Sequence, residues 1–178
     1  MYSAINQLKI IDKNPKLTKP IIFLYRDICN RVISCFNNWC IKKYKNKKNW
    51  LMELLFTLEN FDYAKFYNFL ELKNINGAFR MFLNILRYIY KLDKHLCPQI
   101  DILINNGVNK VSHFINIENT EDIIKLEKML NQKIPIVNKS NEEDTRILKV
   151  FLLKNKNYVN MIHLLYLQDC KFLKNKID

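Results

Sequence analysis

The chain of 178 residues contains only 2 glycines and 4 prolines, so it has few residues that favour tight turns or interrupt helices. Turns must then be formed by asparagine and aspartate, which tolerate left-handed backbone and cap helices. Long hydrophobic runs are also missing, because charged residues interrupt each apolar stretch before the roughly 18 residues that a membrane span needs. The sequence therefore predicts long helices and no membrane-spanning segment.

Acidic residues are scarce beside basic ones, with 17 Asp and Glu against 29 Lys and Arg and a formal net charge of +12. A surface this basic attracts polyanions. Three interpretations are open: a basic surface that is merely solvated, an anionic membrane, and a nucleic acid. The positive charge is spread from Lys9 to Lys176 rather than gathered in one tail, which favours a nucleic acid contacted on several sides. We therefore predict a nucleic-acid partner and no membrane partner.

Patterns that indicate catalysis or metal binding are missing as well. The 5 cysteines show no C-x-x-C spacing, and the 3 histidines stand apart from one another. No glycine-rich phosphate loop and no nucleophile pattern with a partner base is present. We therefore predict neither an enzyme nor a metal or cofactor site, and the odd number of cysteines favours a reducing interior.

Apolar periodicity predicts a mainly α protein, a bundle of about six to eight helices with one protruding two-stranded β-arm. The predicted helices cover residues 21–44, 61–73, 76–95, 98–105, 119–132, 141–154 and 159–173. Val111, His113, Ile115 and Ile117 alternate with other residues as in a strand, and the chain returns extended through residues 133–137. Pro135 places this return at a sheet edge, since proline cannot donate to a ladder.

The helix that begins near Asn76 has a purely basic charged face until Asp93, with Arg80, Arg87 and Lys91 on it. Such a face, with no acid paired at helical spacing, suits phosphate groups. A second basic cluster, residues 42–48 (KKYKNKK), encloses Tyr44. It fits either a solvated loop or a site where the ring stacks on a base while the lysines contact phosphates.

The order of several motifs between residues 63 and 175 resembles ribosomal protein seven of the small subunit, in a divergent and mitochondrial form. That family has a helix after a glycine-lysine-lysine turn, an asparagine-proline that opens a short helix, an asparagine-valine-x-proline step into a β-arm, a valine-proline-valine return, and an alanine-isoleucine-arginine-tryptophan helix. The corresponding segments here are FYNFLELKNINGAFRMFLNILRYIYK, Cys97-Pro98, Val111-Ser112-His113, Ile134-Pro135-Ile136 and Ile147-Leu148-Lys149-Val150. Departures are Asn74-Ile75-Asn76 in place of the first turn, His113 in place of the proline, and Glu142 and Glu143 where the family is basic.

The resemblance implies a structural constituent of the mitochondrial small ribosomal subunit. It implies binding to the three-prime major domain of small-subunit rRNA in the head, next to neighbouring small-subunit proteins and near exit-site tRNA and mRNA. Residues 1–60 would form a basic N-terminal extension and residues 61–178 the RNA-binding helical domain. The residues expected to contact RNA are all basic: Lys73, Arg80, Arg87, Lys91, Lys110, Lys133, Lys139, Arg146 and Lys149.

An alternative function is a small α-helical interaction module of a virus with an AT-rich genome. Viral Bcl-2-like proteins of similar length bind host helices in an apolar groove. This alternative predicts about eight helices and no β-arm.

Overall fold

The computed structural model describes residues 20–44, 50–92, 95–105, 111–135 and 142–177. Within these ranges the chain forms nine α-helices and a two-stranded sheet, so the predicted mainly α class is confirmed. No helix in the described ranges is long and apolar enough to cross a membrane. In chain order the elements are β1 (Ile22–Tyr25), α1 (Ile28–Phe36), α2 (Trp50–Thr57), α3 (Tyr63–Glu71), α4 (Ile75–Ile89), α5 (Gln99–Asn105), β2 (His113–Asn116), α6 (Thr120–Leu130), α7 (Glu142–Lys154), α8 (Lys156–Leu165) and α9 (Leu167–Ile177).

The chain divides into two compact units, each assembled from segments that are distant in the sequence. The first unit contains residues 1–27, 98–134 and 166–178, and therefore the sheet with α5, α6 and α9. The second unit contains residues 28–97 and 135–165, and therefore α1 to α4 with α7 and α8. The division predicted from the sequence, an N-terminal extension over residues 1–60 and an RNA-binding domain over residues 61–178, stays a prediction.

The first unit is built around a parallel pair of strands, with Phe23 opposite Phe114 and Leu24 opposite Ile115. The rings of Phe23, Phe114 and Phe172 contact one another edge to face, at centroid distances between 5.7 and 6.2 Å. Ile115 is fully buried. The sheet is thus held to α9 by an aromatic cluster that no local sequence signal defines.

The strand pairing predicted for the β-arm is wrong. The strand predicted near residues 111–117 is present as β2, but its partner among the described residues is β1 rather than the returning segment. Residues 133–135 form no strand, and residues 136 and 137 lie outside the described ranges. Instead of returning as a strand, the chain leaves α6 through Asn131, which is left-handed with φ 49°.

Two predicted helices also differ from the structure. Residues 22–25 of the helix predicted over 21–44 are a strand, because their backbone groups pair with β2. The strand ends where the Gln99 side chain bonds both the N–H and the C=O of Arg26, each at 3.0 Å. The helix predicted over 159–173 is two helices, α8 and α9, separated at Tyr166, which is buried.

The core of the second unit is aromatic. Phe36 of α1 contacts Phe79 and Phe82 of α4 at centroid distances of 5.0 and 5.3 Å, and Phe79 contacts Phe151 of α7 at 5.7 Å. These four rings are buried. They join α1, α4 and α7, which places the outer side of α4 at the surface of this unit.

A π-helical turn over Asn37–Ile41 extends α1. Its extra residue turns Asn37 inward, where the side chain is buried and its Nδ2 donates to Thr145 Oγ1 at 3.0 Å. The Oδ1 atom of Asn37 has no hydrogen-bond partner in the described residues. The turn thereby links α1 to the first part of α7 at the cost of one unsatisfied acceptor.

Candidate nucleic-acid interface

Seven of the residues expected to contact RNA lie in the described ranges, and the side chains of all seven are exposed. Lys133 belongs to the first unit and the other six to the second. Lys110 and Lys139 lie outside the described residues. The residues in the second unit are Lys73, Arg80, Arg87, Lys91, Arg146 and Lys149.

The basic face of α4 consists of Arg80 and Arg87 on the helix and Lys91 in the turn directly after it. Residues seven positions apart lie on one side of a helix, so Arg80 and Arg87 share one side of α4, and Lys91 follows two residues after its end. At about 1.5 Å rise per residue, Arg80 and Arg87 are spaced about 10 Å apart along the axis. No acidic residue occurs between Glu71 and Asp93, so no acid on this helix is placed to pair with them.

The position of this face follows from local sequence signals. Asn74 caps α4, because its Oδ1 accepts from the Gly77 N–H at 3.0 Å. Seven residues of α4 are buried on the opposite side: Ala78, Phe79, Phe82, Leu83, Ile85, Leu86 and Ile89. With that side fixed in the core, Arg80, Arg87 and Lys91 lie on the exposed side.

The start of α8 lies against the same face of α4. The Tyr158 hydroxyl donates to Asn84 Oδ1 at 3.0 Å, and Asn84 stands between Arg80 and Arg87 on the exposed side of α4. Phe151, near the end of α7, lies under the Arg80 guanidinium, whose Cζ is 5.8 Å from the ring centroid. The junction of α7 and α8 is therefore adjacent to the basic face.

This junction adds two cations that the sequence analysis did not single out. Lys154 and Lys156 are exposed on either side of Asn155, which caps the end of α7 by donating to the Phe151 carbonyl at 2.7 Å. An open depression of about 620 Å³ is lined by Leu153 and residues 154–158. The sequence signal for these two cations is the K-N-K spacing at the end of a predicted helix. We refer to Arg80, Arg87, Lys91, Lys154 and Lys156 as the basic surface.

An exposed aromatic side chain belongs to the same face of α4. Tyr88 is 58% exposed. The Cζ atom of Arg87 lies 4.6 Å from the centroid of its ring, and an Arg87 nitrogen donates to its hydroxyl. The face of α4 thus offers a ring beside three cations.

The other expected contacts stand apart from this arrangement. Lys73 follows α3 in the left-handed conformation, with φ 54°, and forms the turn into α4. Arg146 lies four residues after Glu142 on α7, a spacing that lowers the local positive potential. Lys133 Nζ is 3.4 Å from Glu127 Oε2, so its charge is partly neutralised within the first unit. Lys149 is exposed on α7.

Tyr44, considered as a stacking residue in the basic cluster 42–48, packs edge to face against Tyr67 at 5.6 Å. Tyr67 stacks in turn on Tyr63 at 6.1 Å. The Lys43 amino group lies 4.3 Å from the Trp39 ring centroid. Residues 45–48 of the cluster lie outside the described ranges. Its described part is therefore tied to neighbouring rings of the second unit.

The cysteines occupy different environments. Burial raises the pKa of the Cys40 thiol well above its ordinary value, with Cys35 nearby as a smaller cause. Burial also raises the pKa of Cys170, and Asp169 and Asp27 add to the shift. One contact was not foreseen: Cys29 Sγ lies 3.9 Å from His163 Nε2.

Among the described residues, no group of three or more His, Cys, Asp or Glu side chains is arranged to hold a metal ion. The chain matches no family model, no curated protein and no solved structure. The function proposed below therefore rests on the geometry of the basic surface and on the sequence resemblance.

Proposed function

We propose that the chain binds folded RNA through the basic surface. The observation that carries this proposal is the contact between Tyr158 and Asn84, which holds the start of α8 against the exposed side of α4, two residues after Lys156 in the chain. Folded RNA is recognised largely by its shape, its phosphates and its 2′-hydroxyls. Lysine and arginine side chains at several points of one surface suit such contacts.

The distribution of charge between the units supports the same site. The second unit contains 17 Lys and Arg and 8 Asp and Glu, a net charge of +9. The first unit contains 12 and 9, a net charge of +3, and the two values together give the +12 of the chain. Long-range attraction of a polyanion is therefore directed mainly at the second unit.

The ribosomal setting of this proposal comes from the sequence resemblance. In that setting the RNA is the three-prime major domain of small-subunit rRNA, the partners are neighbouring small-subunit proteins, and the compartment is the mitochondrion. Because residues 133–135 form no strand, the proposal assigns the RNA contact to helices of the second unit rather than to a β-arm. The alternative, binding of a host helix, agrees with the nine helices of the described ranges and with the lack of a strand at residues 133–135. It requires an apolar groove, however, and the depression at the α7–α8 junction is lined mainly by lysine and asparagine.

The first test compares two triple variants that lose the same charge. Arg80→Gln/Arg87→Gln/Lys91→Gln removes the basic face of α4, and Lys125→Gln/Lys128→Gln/Lys171→Gln removes three exposed lysines of the first unit. Affinity for a transcript of the rRNA domain is measured by filter binding over a series of salt concentrations. The affinity falls as salt rises, so the slope of log K against log salt is negative. We expect the first variant to reduce the magnitude of this slope by about 2 to 3, since each lost phosphate contact contributes about 0.7 to 0.9. The control should lower it far less, and equal losses in both variants would contradict the proposal.

The ribosomal setting has its own test. Tagged protein from a mitochondrial lysate is sedimented through sucrose gradients at low and at moderate salt, and the small-subunit rRNA is followed in parallel. Co-migration that survives moderate salt is the expected result. Migration in the light fractions at both salt concentrations would exclude the ribosomal setting, whereas RNA binding by the isolated protein would remain open to the first test.

A further inference from the structure

Tyr88 is exposed at a place where the second unit needs no apolar side chain. The buried side of α4 is already complete without it, and its ring is 58% accessible to solvent. Single exposed apolar residues are common on protein surfaces and need no explanation by themselves. What distinguishes Tyr88 is its neighbours, because Arg87 and Lys91 stand on the same exposed face and no acid does.

The ring of Tyr88 is held in place by Arg87. The guanidinium Cζ lies 4.6 Å from the ring centroid, and the same group donates to the Tyr88 hydroxyl. These two contacts lower the number of rotamers open to the side chain, so less conformational entropy is lost when a ligand stacks on it. A fixed, exposed ring beside cations has the composition of a platform that binds single-stranded nucleic acid.

We propose that Tyr88 stacks on an unpaired base of the bound RNA while Arg87 and Lys91 contact the adjacent phosphates. This inference rests on the proposed function and specifies which part of the RNA binds to the basic surface. In a paired A-form helix the faces of the bases are covered by their neighbours, so a stacked base must come from a loop, a bulge or an end. The site therefore selects RNA that presents an unpaired nucleotide.

Phe56 is an exposed aromatic residue that lacks the neighbouring cations of Tyr88. Its side chain is 71% exposed on α2 and contacts Tyr63 edge to face at 5.2 Å. However, the segment Trp50–Thr57 contains Glu53 and no lysine or arginine. Phe56 therefore lacks a neighbour on its own helix that would hold a phosphate, and it provides a matched control.

The experiment uses the full chain and two RNA hairpins. One hairpin carries a single bulged 2-aminopurine, and the other has the same stem fully paired with 2-aminopurine inside it. Affinities are measured by fluorescence anisotropy at low ionic strength, and stacking is measured by quenching of 2-aminopurine. The proteins compared are the wild type, Tyr88→Leu, Tyr88→Phe and Phe56→Leu. Circular dichroism verifies that each variant is folded.

We expect the wild type to bind the bulged hairpin more tightly and to quench its probe. Tyr88→Leu, which keeps an apolar side chain but loses the aromatic face, should weaken this binding by about 5- to 100-fold and abolish the quenching. Phe56→Leu should behave like the wild type. Tyr88→Phe keeps the aromatic face and loses only the hydrogen bond from Arg87, so it should still quench the probe and weaken binding less than Tyr88→Leu does. If Tyr88→Leu quenches and binds the bulged hairpin as the wild type does, this inference is wrong and the proposed function stands. If the wild type binds neither hairpin and also fails to bind the rRNA transcript, the proposed function itself is overturned.

Discussion

At the scale of single residues, buried and paired carboxylates hold together segments that are far apart in the sequence. Asp169 of α9 is buried, and its two oxygens accept the N–H groups of Gln99 and Ile100 at 2.7 and 2.8 Å. These are N–H groups in the first turn of α5, which have no partner within that helix. A side chain from α9 therefore supplies the cap of α5.

Asp169→Asn should destabilise the protein, because the amide keeps only one acceptor for two N–H groups and loses the negative charge at the helix start. We expect a loss of about 1 to 3 kcal/mol in the free energy of unfolding, measured by urea denaturation. Asp101→Asn, in the first turn of the same helix, is the control for charge alone and should cost less than about 1 kcal/mol. Equal losses for both substitutions would show that the two hydrogen bonds contribute little.

Glu127 gives the protein a contact that depends on pH. The Ile134 N–H donates to Glu127 Oε1 at 3.0 Å and is the main cause that lowers the pKa of this carboxyl from its ordinary 4.5, while partial burial opposes it and Lys133 assists. A lowered pKa in the folded state means that the contact stabilises the protein above pH 4.5 and is lost as the pH falls through the folded value.

We therefore expect an NMR titration to place the midpoint of the Glu127 carboxyl below 4.5, with the Ile134 amide shifting at the same midpoint. Lys133→Gln should raise the midpoint only in part, since the Ile134 hydrogen bond remains. A midpoint at or above 4.5 in the wild type would contradict the contact.

At the scale of elements, α4 depends on how its first turn is closed. Asn74 caps the helix, and Gly77 allows this turn to lie close to α3. A Cβ at Gly77 would lie 3.0 Å from Phe69 Cδ2 and 3.0 Å from the Asn74 side chain. A larger residue at this position would therefore force the Phe69 ring or the Asn74 cap to shift, at the start of the helix that carries the basic face.

Asn74→Ala should destabilise the protein by about 1 kcal/mol, the usual cost of losing a side-chain N-cap. Asn74→Asp keeps the acceptor and should cost less. Urea denaturation followed by far-UV circular dichroism gives both values. If alanine and aspartate have the same effect, the hydrogen bond to the Gly77 N–H does not stabilise α4.

At the scale of the whole molecule, the charge of the chain is concentrated in the second unit, and the basic surface combines residues from α4 and from the α7–α8 junction. An RNA that binds this surface should cover cations from both places at once. Exposed lysines of the first unit should stay accessible. This expectation distinguishes one continuous site from a general attraction of RNA to positive charge.

Lysine footprinting measures this directly. Bound rRNA transcript should slow the acetylation of Lys91, Lys154 and Lys156 together, as determined by mass spectrometry. Lys125, Lys128 and Lys171 serve as internal controls and should be modified at the same rate with and without RNA. Protection of Lys91 without Lys154 and Lys156 would limit the site to α4.

The sequence by itself determined most of the helices and one side of the site. Helices such as α4 and α6 are specified locally, because apolar periodicity and capping residues such as Asn74 and Asn119 act within a few residues. The basic face of α4 follows from the same periodicity. The predicted number of about six to eight helices is lower than the nine found in the described ranges. One reason is that the break at Tyr166 carries no glycine or proline signal.

Only the tertiary structure decided which distant segments meet. Ile22–Tyr25 is a strand because β2, about ninety residues later, offers backbone groups to pair with, and no local pattern distinguishes this from a helix. The junction that carries Lys154 and Lys156 meets α4 because Tyr158 bonds to Asn84, 74 residues earlier. Pairing and packing between distant segments depend on the complementarity of both partners, and a pattern read along one stretch of chain contains only one of them.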